Sequence, residues 1–117
     1  MFISKHRFIS MWILAIVVLV ITGTCELARA SEDAINKYTT YATVLGRASG
    51  CGINAESEYA RVGAWFDRAF TPGTSQHTTH LRLFMFAAYA AAKDQAEGRT
   101  PDTCEEVRKQ IRTFPWP

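Results

Sequence analysis

The chain has 117 residues, with 13 Lys or Arg against 11 Asp or Glu and a formal net charge of +2. This length leaves room for one domain. The slight basic excess excludes the strongly charged surface on which nucleic-acid binding depends, so we expect no nucleic-acid partner, and no motif indicates a cofactor.

The N-terminal segment, residues 1–30, has the order of a secretory signal peptide. Lys5 and Arg7 form a basic start, and residues 8–21 form an apolar run broken only by Ser10. That run is shorter than the roughly 20 apolar residues that span a bilayer comfortably. We therefore predict a signal peptide that meets the membrane only transiently.

Small residues end this segment. Ala28 and Ala30 stand three and one residues before Ser31, which is the spacing that signal peptidase accepts, so we predict cleavage after Ala30. Two alternatives remain open at this stage. The segment can be retained as an anchor, or Cys25 can be lipid-modified.

Cleavage neutralises the predicted mature chain, residues 31–117. The leader holds Lys5, Arg7 and Arg29 against Glu26, so removing it leaves ten basic and ten acidic side chains. The basic excess of the whole chain is thus a property of the leader, and it indicates no anionic membrane as a partner.

Cleavage also leaves an even number of cysteines, because Cys25 is removed and Cys51 and Cys104 remain. Exported proteins fold in compartments that oxidise thiols. We therefore predict one disulfide between Cys51 and Cys104, which on the chain-entropy account contributes roughly 4 kcal/mol.

The first two predicted helices carry amphipathic patterns. The first covers residues 32–49 with Ser31 as its N-cap, and its apolar face repeats at three- and four-residue steps from Ile35. Asn54 caps the second, which ends before the turn at residues 71–74.

The third predicted helix runs from Ser75 to about Glu97 and is apolar on nearly all sides between Leu81 and Ala92. Such a helix usually lies at the centre of a domain, and its many alanines allow close approach of neighbouring helices. The fourth begins at Thr100 and Pro101, a hydroxyl cap followed by proline at the first helical position.

Short connections favour antiparallel neighbours, so we predict an all-α, up-down-up-down four-helix bundle. In that topology the end of the first helix and the start of the fourth lie at the same end. Cys51 and Cys104 occupy those two places, which agrees with the predicted disulfide.

Aromatic residues are numerous for so small a domain. A core of this size cannot bury all of them, so we expect some on a surface groove or a dimer face. The predicted binding surface consists of four rings at the edges of the helical stripes and in the C-terminal tail: Tyr41, Trp65, Phe70 and Trp116.

The pattern offers little for catalysis or metal binding. His77 and His80 are three residues apart, on one face of a helix, and are the only metal-ligand candidates. Two ligands do not complete a site. The sequence contains no nucleophile elbow, no phosphate-binding loop and no CxxC motif, so we predict no catalytic residues and no enzymatic activity.

An exported helical domain with one disulfide spanning some fifty residues resembles the acid-stress chaperones of the HdeA type. The stretch from Glu56 to Phe70, which reads acid, apolar, Val-Gly and then aromatic, adds to the resemblance. The chain departs from that family where Cys104 opens a helix, and it has neither a proline-rich start nor a lysine-rich end. The resemblance implies a periplasmic chaperone that loosens at low pH.

These features together predict a small periplasmic or secreted protein of a Gram-negative bacterium. We expect a non-enzymatic binding or accessory protein of the cell envelope, whose partner is another envelope protein or a second copy of itself. The alternatives are the acid-stress chaperone and a metal or small-ligand carrier that uses His77 and His80.

Overall fold

A computed structural model of the protein describes residues 32–117, and all regular structure within that range is α-helical. The predicted all-α class is confirmed. Residues Ala34–Pro117 form one compact unit. There are four helices in this part of the chain: α1 over residues 32–50, α2 over Glu56–Ala69, α3 over Ser75–Ala96 and α4 over Cys104–Thr113.

Some predictions concern a part of the chain that lies outside the described residues. They are the signal peptide over residues 1–30 and its cleavage site at Ala28, Ala30 and Ser31. Of the helices described, none is both long and apolar enough to cross a membrane.

Threonine hydroxyls cap two of the helices. Thr74 accepts a hydrogen bond from the His77 amide at 3.2 Å and starts α3, as Thr103 accepts one from Glu106 and starts α4. Each threonine hydroxyl accepts a hydrogen bond from a backbone N–H of the first turn, which has no acceptor inside the helix. α4 therefore begins at Cys104, later than the predicted start at Thr100.

The later start of α4 follows from the contacts of Asp102. Its carboxylate pairs with Arg47 of α1 at 2.7 Å and accepts a hydrogen bond from Gln110 of α4 at 3.2 Å. Its carbonyl oxygen accepts a hydrogen bond of 2.9 Å from Gln95 of α3. These contacts hold residues 100–103 as a turn that ties three helices together.

The central helix is α1, and the expectation that the apolar third helix lies at the centre is wrong. The buried residues of α1 include Tyr38, Ala42 and Leu45, and they recur along most of its length. α3 buries Phe84, Ala88 and Gln95, all on one side. Hydrophobicity averaged around a helix does not determine burial, because a helix at the edge of a four-helix unit has neighbours on one side only.

α1 and α3 approach each other closely at two glycines of α1. A Cβ atom added at Gly46 would lie 2.3 Å from the carbonyl oxygen of Ala88, and one added at Gly50 would lie 2.4 Å from that of Ala92. Small residues on both helices are therefore needed for this packing. The expected role of the alanines in α3 is confirmed.

The predicted disulfide is present. Cys51, directly after α1, is bonded to Cys104, the first residue of α4, with a Cα–Cα distance of 5.6 Å. It lies at the same end of the domain as the turn around Asp102. Covalent and polar contacts thus fix the start of α4 against the end of α1.

The core is a single cluster of aliphatic and aromatic residues, within which the aromatic rings form two parts that meet where Trp65 lies beside Phe66. The ring of Tyr38 lies within 6.5 Å, between ring centroids, of three phenylalanines in α2, α3 and the turn after α2: Phe66, Phe70 and Phe84. In the second part, the rings of Trp65, Phe114 and Trp116 surround Tyr41.

The C-terminal segment folds back over the core. The Trp116 indole donates a hydrogen bond to the carbonyl oxygen of Ile111 at 2.9 Å. Arg61 of α2 donates to the carbonyl oxygens of Trp116 and Pro117. These contacts place Trp116 against Tyr41 and complete the second part of the core.

Candidate functional site

Large apolar side chains are exposed along one side of α3. Phe86 is 78% and Tyr89 71% exposed, and Met85 and Leu83 are more than half exposed. Positions three and four apart lie on the same side of a helix, so these side chains form one continuous surface. We call it the α3 face, and it comprises Arg82, Leu83, Met85, Phe86, Tyr89, Ala90 and Lys93.

The packing of α3 explains why these residues are exposed. The opposite side of the helix carries Ala88 and Ala92, whose backbone lies against the glycines of α1. Because α3 is apolar all round but has neighbours on that side only, its remaining apolar residues face solvent. The largest apolar patch on the surface of a small protein is often an interaction site.

Basic residues border the α3 face. Arg82 lies at its N-terminal end and Lys93 at its C-terminal end, and both are exposed. α3 itself contains one carboxylate, that of Asp94, which is paired with Arg99 at 2.8 Å. The face is thus apolar at its centre and positively charged at both ends.

A shallow groove continues the α3 face toward α1 and α2. Its volume is about 290 Å³, and it runs between Met85 and Tyr89 on one side and Ser49 and Tyr59 on the other. The Ser49 and Tyr59 hydroxyls share a hydrogen bond of 3.2 Å at its wall. The groove offers an apolar floor with one polar edge, which suits a polypeptide side chain.

The four rings predicted as a binding surface have packing roles in the structure. Tyr41 and Phe70 are buried in the core, and Trp65 and Trp116 are half-buried against Tyr41. The expectation that some rings remain on the surface is met instead by Phe86 and Tyr89. The sequence does carry a signal for these two rings. Residues 82, 86, 89 and 93 follow at steps of four, three and four, so Phe86 and Tyr89 lie on the same side of α3 as two charged residues.

The two histidines of α3 contact different partners. His77 shares a hydrogen bond of 2.9 Å with the carboxylate of Asp67. His80 shares one of 3.0 Å with the hydroxyl of Tyr38 and stacks on Phe70. No cluster of three or more potential metal ligands occurs among residues 32–117.

Burial raises the pKa of the Tyr38 hydroxyl. The folded domain thus favours the protonated phenol, and its free energy of unfolding is unaffected below the unfolded pKa of about 10. Stability then decreases as pH rises from about 10 through the folded pKa, with a slope of at most about 1.4 kcal/mol per pH unit.

We expect Tyr38→Phe to remove this contribution to the slope and to cost about 1 kcal/mol at neutral pH, because His80 loses its partner. Urea unfolding between pH 7 and 11 measures both effects. Tyr89→Phe is the matched control, since that ring is exposed. An unchanged slope in Tyr38→Phe would contradict the prediction.

Comparison with known proteins gives no match. No protein-family model, curated protein or solved structure is significantly similar to this chain.

Proposed function

We propose that the protein is a non-enzymatic accessory protein of the bacterial cell envelope, which acts by presenting the α3 face to another polypeptide. One observation carries the proposal: the ring of Phe86 is 78% exposed at the centre of a continuous apolar surface. Aromatic residues at the centre of such patches are the usual anchors of protein interfaces. The basic ends formed by Arg82 and Lys93 would orient the partner.

The disulfide supports the proposed place of action. Bonds such as Cys51–Cys104 form and persist in the periplasm or outside the cell, and they are rare in the reducing cytosol. Together with the predicted signal peptide over residues 1–30, this favours export from a Gram-negative cell. Short connections and the position of the disulfide likewise support an up-down-up-down order of the four helices.

A photoreactive amino acid at position 86 tests this function in living cells. We expect a discrete crosslinked product after illumination, because the side chain at this position would lie within the interface. The same amino acid at position 64, on the exposed side of α2, is the control and should give none. Equal labelling at both positions, or none at position 86, would contradict the proposal.

A second candidate is a periplasmic chaperone that opens in acid. Two contacts of carboxylates link the helices: Asp102, in the turn before α4, pairs with Arg47 of α1, and Asp67 of α2 shares a hydrogen bond with the His77 ring of α3. Protonation of the carboxylates would remove both links while the disulfide still holds α1 to α4. This candidate requires the near-UV circular dichroism signal to be lost between pH 4 and pH 2, and a retained signal would eliminate it.

A further inference from the structure

We propose that the α3 face binds a second copy of this chain, with the two α3 helices antiparallel and related by a two-fold axis at Phe86. The inference rests on the proposed function, because it uses the same face, and it names the partner. It follows from the spacing, the size and the charge of that face.

The residues of the α3 face are spaced as they are in helices that pack against each other side by side. Arg82, Phe86, Tyr89 and Lys93 follow one another at steps of four, three and four residues. Residues at these steps lie along one line of a helix and interdigitate with the same line on a neighbouring helix. A two-fold axis at Phe86 places Phe86 opposite Phe86 and Leu83 opposite Tyr89, so the apolar residues of the face would pair with those of its own copy.

The size of the face is sufficient for a dimer. With Phe86 and Tyr89 more than two-thirds exposed and Leu83 and Met85 more than half exposed, the apolar surface is about 500 Å² per copy, taking 150–250 Å² for a whole aromatic side chain. That is near the upper limit for the largest patch of a monomeric protein. Two copies would bury about 1,000 Å², which is where specific interfaces begin.

Net charge does not oppose this association. Residues 32–117 contain ten basic and ten acidic side chains, so two copies of this part have no net repulsion. Proteins near zero net charge associate more readily.

Charge along the face favours an antiparallel arrangement whose axis lies at Phe86, because an axis midway between Phe86 and Tyr89 would place Arg82 opposite Lys93. In a parallel dimer Arg82 and Lys93 would each face their own copy across the seam, and opposed like charges are destabilising. In the antiparallel dimer centred on Phe86, Arg82 lies opposite Ala90 of the second copy, and Lys93 lies opposite Thr79. Leu83 then packs against Tyr89, and the rings of Phe86 meet at the axis.

Sedimentation of the purified protein tests the dimer. The full chain is expressed in a Gram-negative host and purified in the form that accumulates. We expect a concentration-dependent dimer whose dissociation constant rises about 30-fold or more in Phe86→Glu, because a central aromatic anchor is lost. Ala64→Glu adds the same charge at an exposed position of α2 and should leave the dissociation constant of the dimer unchanged. A parent protein that remains monomeric up to millimolar concentration overturns the proposal.

Charge complementation tests the two-fold axis. Residue 86 would face its own copy, so Phe86→Glu and Phe86→Lys should each be monomeric alone and form a heterodimer when mixed. A helix that unfolds on substitution would not be rescued by mixing, and circular dichroism at 222 nm verifies that both variants are folded. Two folded variants that stay monomeric in the mixture overturn the proposed axis.

Oxidative crosslinking tests the orientation. In the antiparallel dimer, Phe86→Cys should crosslink to a second copy of itself, and Arg82→Cys should crosslink to Ala90→Cys when the two variants are mixed. Lys93→Cys alone should give no more crosslinked dimer than the parent protein. Efficient crosslinking of Lys93→Cys to itself would indicate a parallel dimer and overturn the proposed arrangement.

These results separate the two proposals. A monomeric protein whose position 86 still crosslinks to a different polypeptide in cells overturns the dimer and leaves the accessory function standing. A monomeric protein with no crosslinked product at position 86 overturns both.

Discussion

Replacing Gly46 with valine is expected to destabilise the domain by about 3 kcal/mol. The first added carbon would lie 2.3 Å from the carbonyl oxygen of Ala88 and 2.8 Å from the Cβ of Ala91. Both atoms belong to α3 and neither is the end of a flexible side chain, so α1 and α3 must move apart. The expected loss is large against the 5–15 kcal/mol that stabilises a typical domain.

Glycine to alanine at two helical positions provides the matched control. We expect Gly46→Ala to destabilise the domain, whereas Gly63→Ala stabilises it by up to roughly 1 kcal/mol, because alanine favours helix and a Cβ at residue 63 meets no atom within 4 Å. Urea unfolding followed by circular dichroism measures both. If Gly46→Ala were as stable as Gly63→Ala, the close approach of α1 and α3 would be wrong.

Loss of the disulfide has the second large effect. The bond joins residues 53 apart in sequence, and on the chain-entropy account a loop of this size contributes about 4 kcal/mol. For a domain of fewer than 100 residues this lowers the Tm by about 20 °C. We expect that decrease when thermal unfolding is repeated with a reductant.

The double variant Cys51→Ala, Cys104→Ala separates the bond from other effects of reduction. Its Tm should match that of the reduced parent protein and should not respond to reductant. A reduced parent protein whose Tm is unchanged would contradict the prediction, and would show that the contacts of Asp102 and the buried Val107 and Ile111 hold α4 in place without the bond.

Local patterns predicted much of this fold. Hydrophobic periodicity located the helices, because it depends on residues a few positions apart. The predicted cap at Asn54 lies one residue before the observed N-cap of α2, Ala55. Cysteine parity predicted the bond between Cys51 and Cys104. The start of α4 was misplaced because Thr100 and Pro101 form a good local cap, while the contacts of Asp102 with Arg47 and Gln95 depend on residues distant in sequence.

The candidate site was harder to predict than the fold. Tyr41, Trp65, Phe70 and Trp116 stand at the edges of helical stripes or in the tail, but contacts among the helices and the returning C-terminal segment bury them wholly or in part. The exposed rings of α3 belong to a helix that is apolar on both sides. Only Arg82 and Lys93 distinguish the exposed side in the sequence, and the packing that buries the other side depends on the glycines of α1, which are distant in sequence.

The central position of α1 has a consequence for amide hydrogen exchange. Tyr38 packs on α2, Gly46 lies against α3, and Cys51 is bonded to α4. No single neighbour can detach and release α1, so its backbone amides should exchange only when the whole domain unfolds. The solvent-facing side of α3 lacks such neighbours, and its amides should exchange through local opening that leaves the rest of the domain folded.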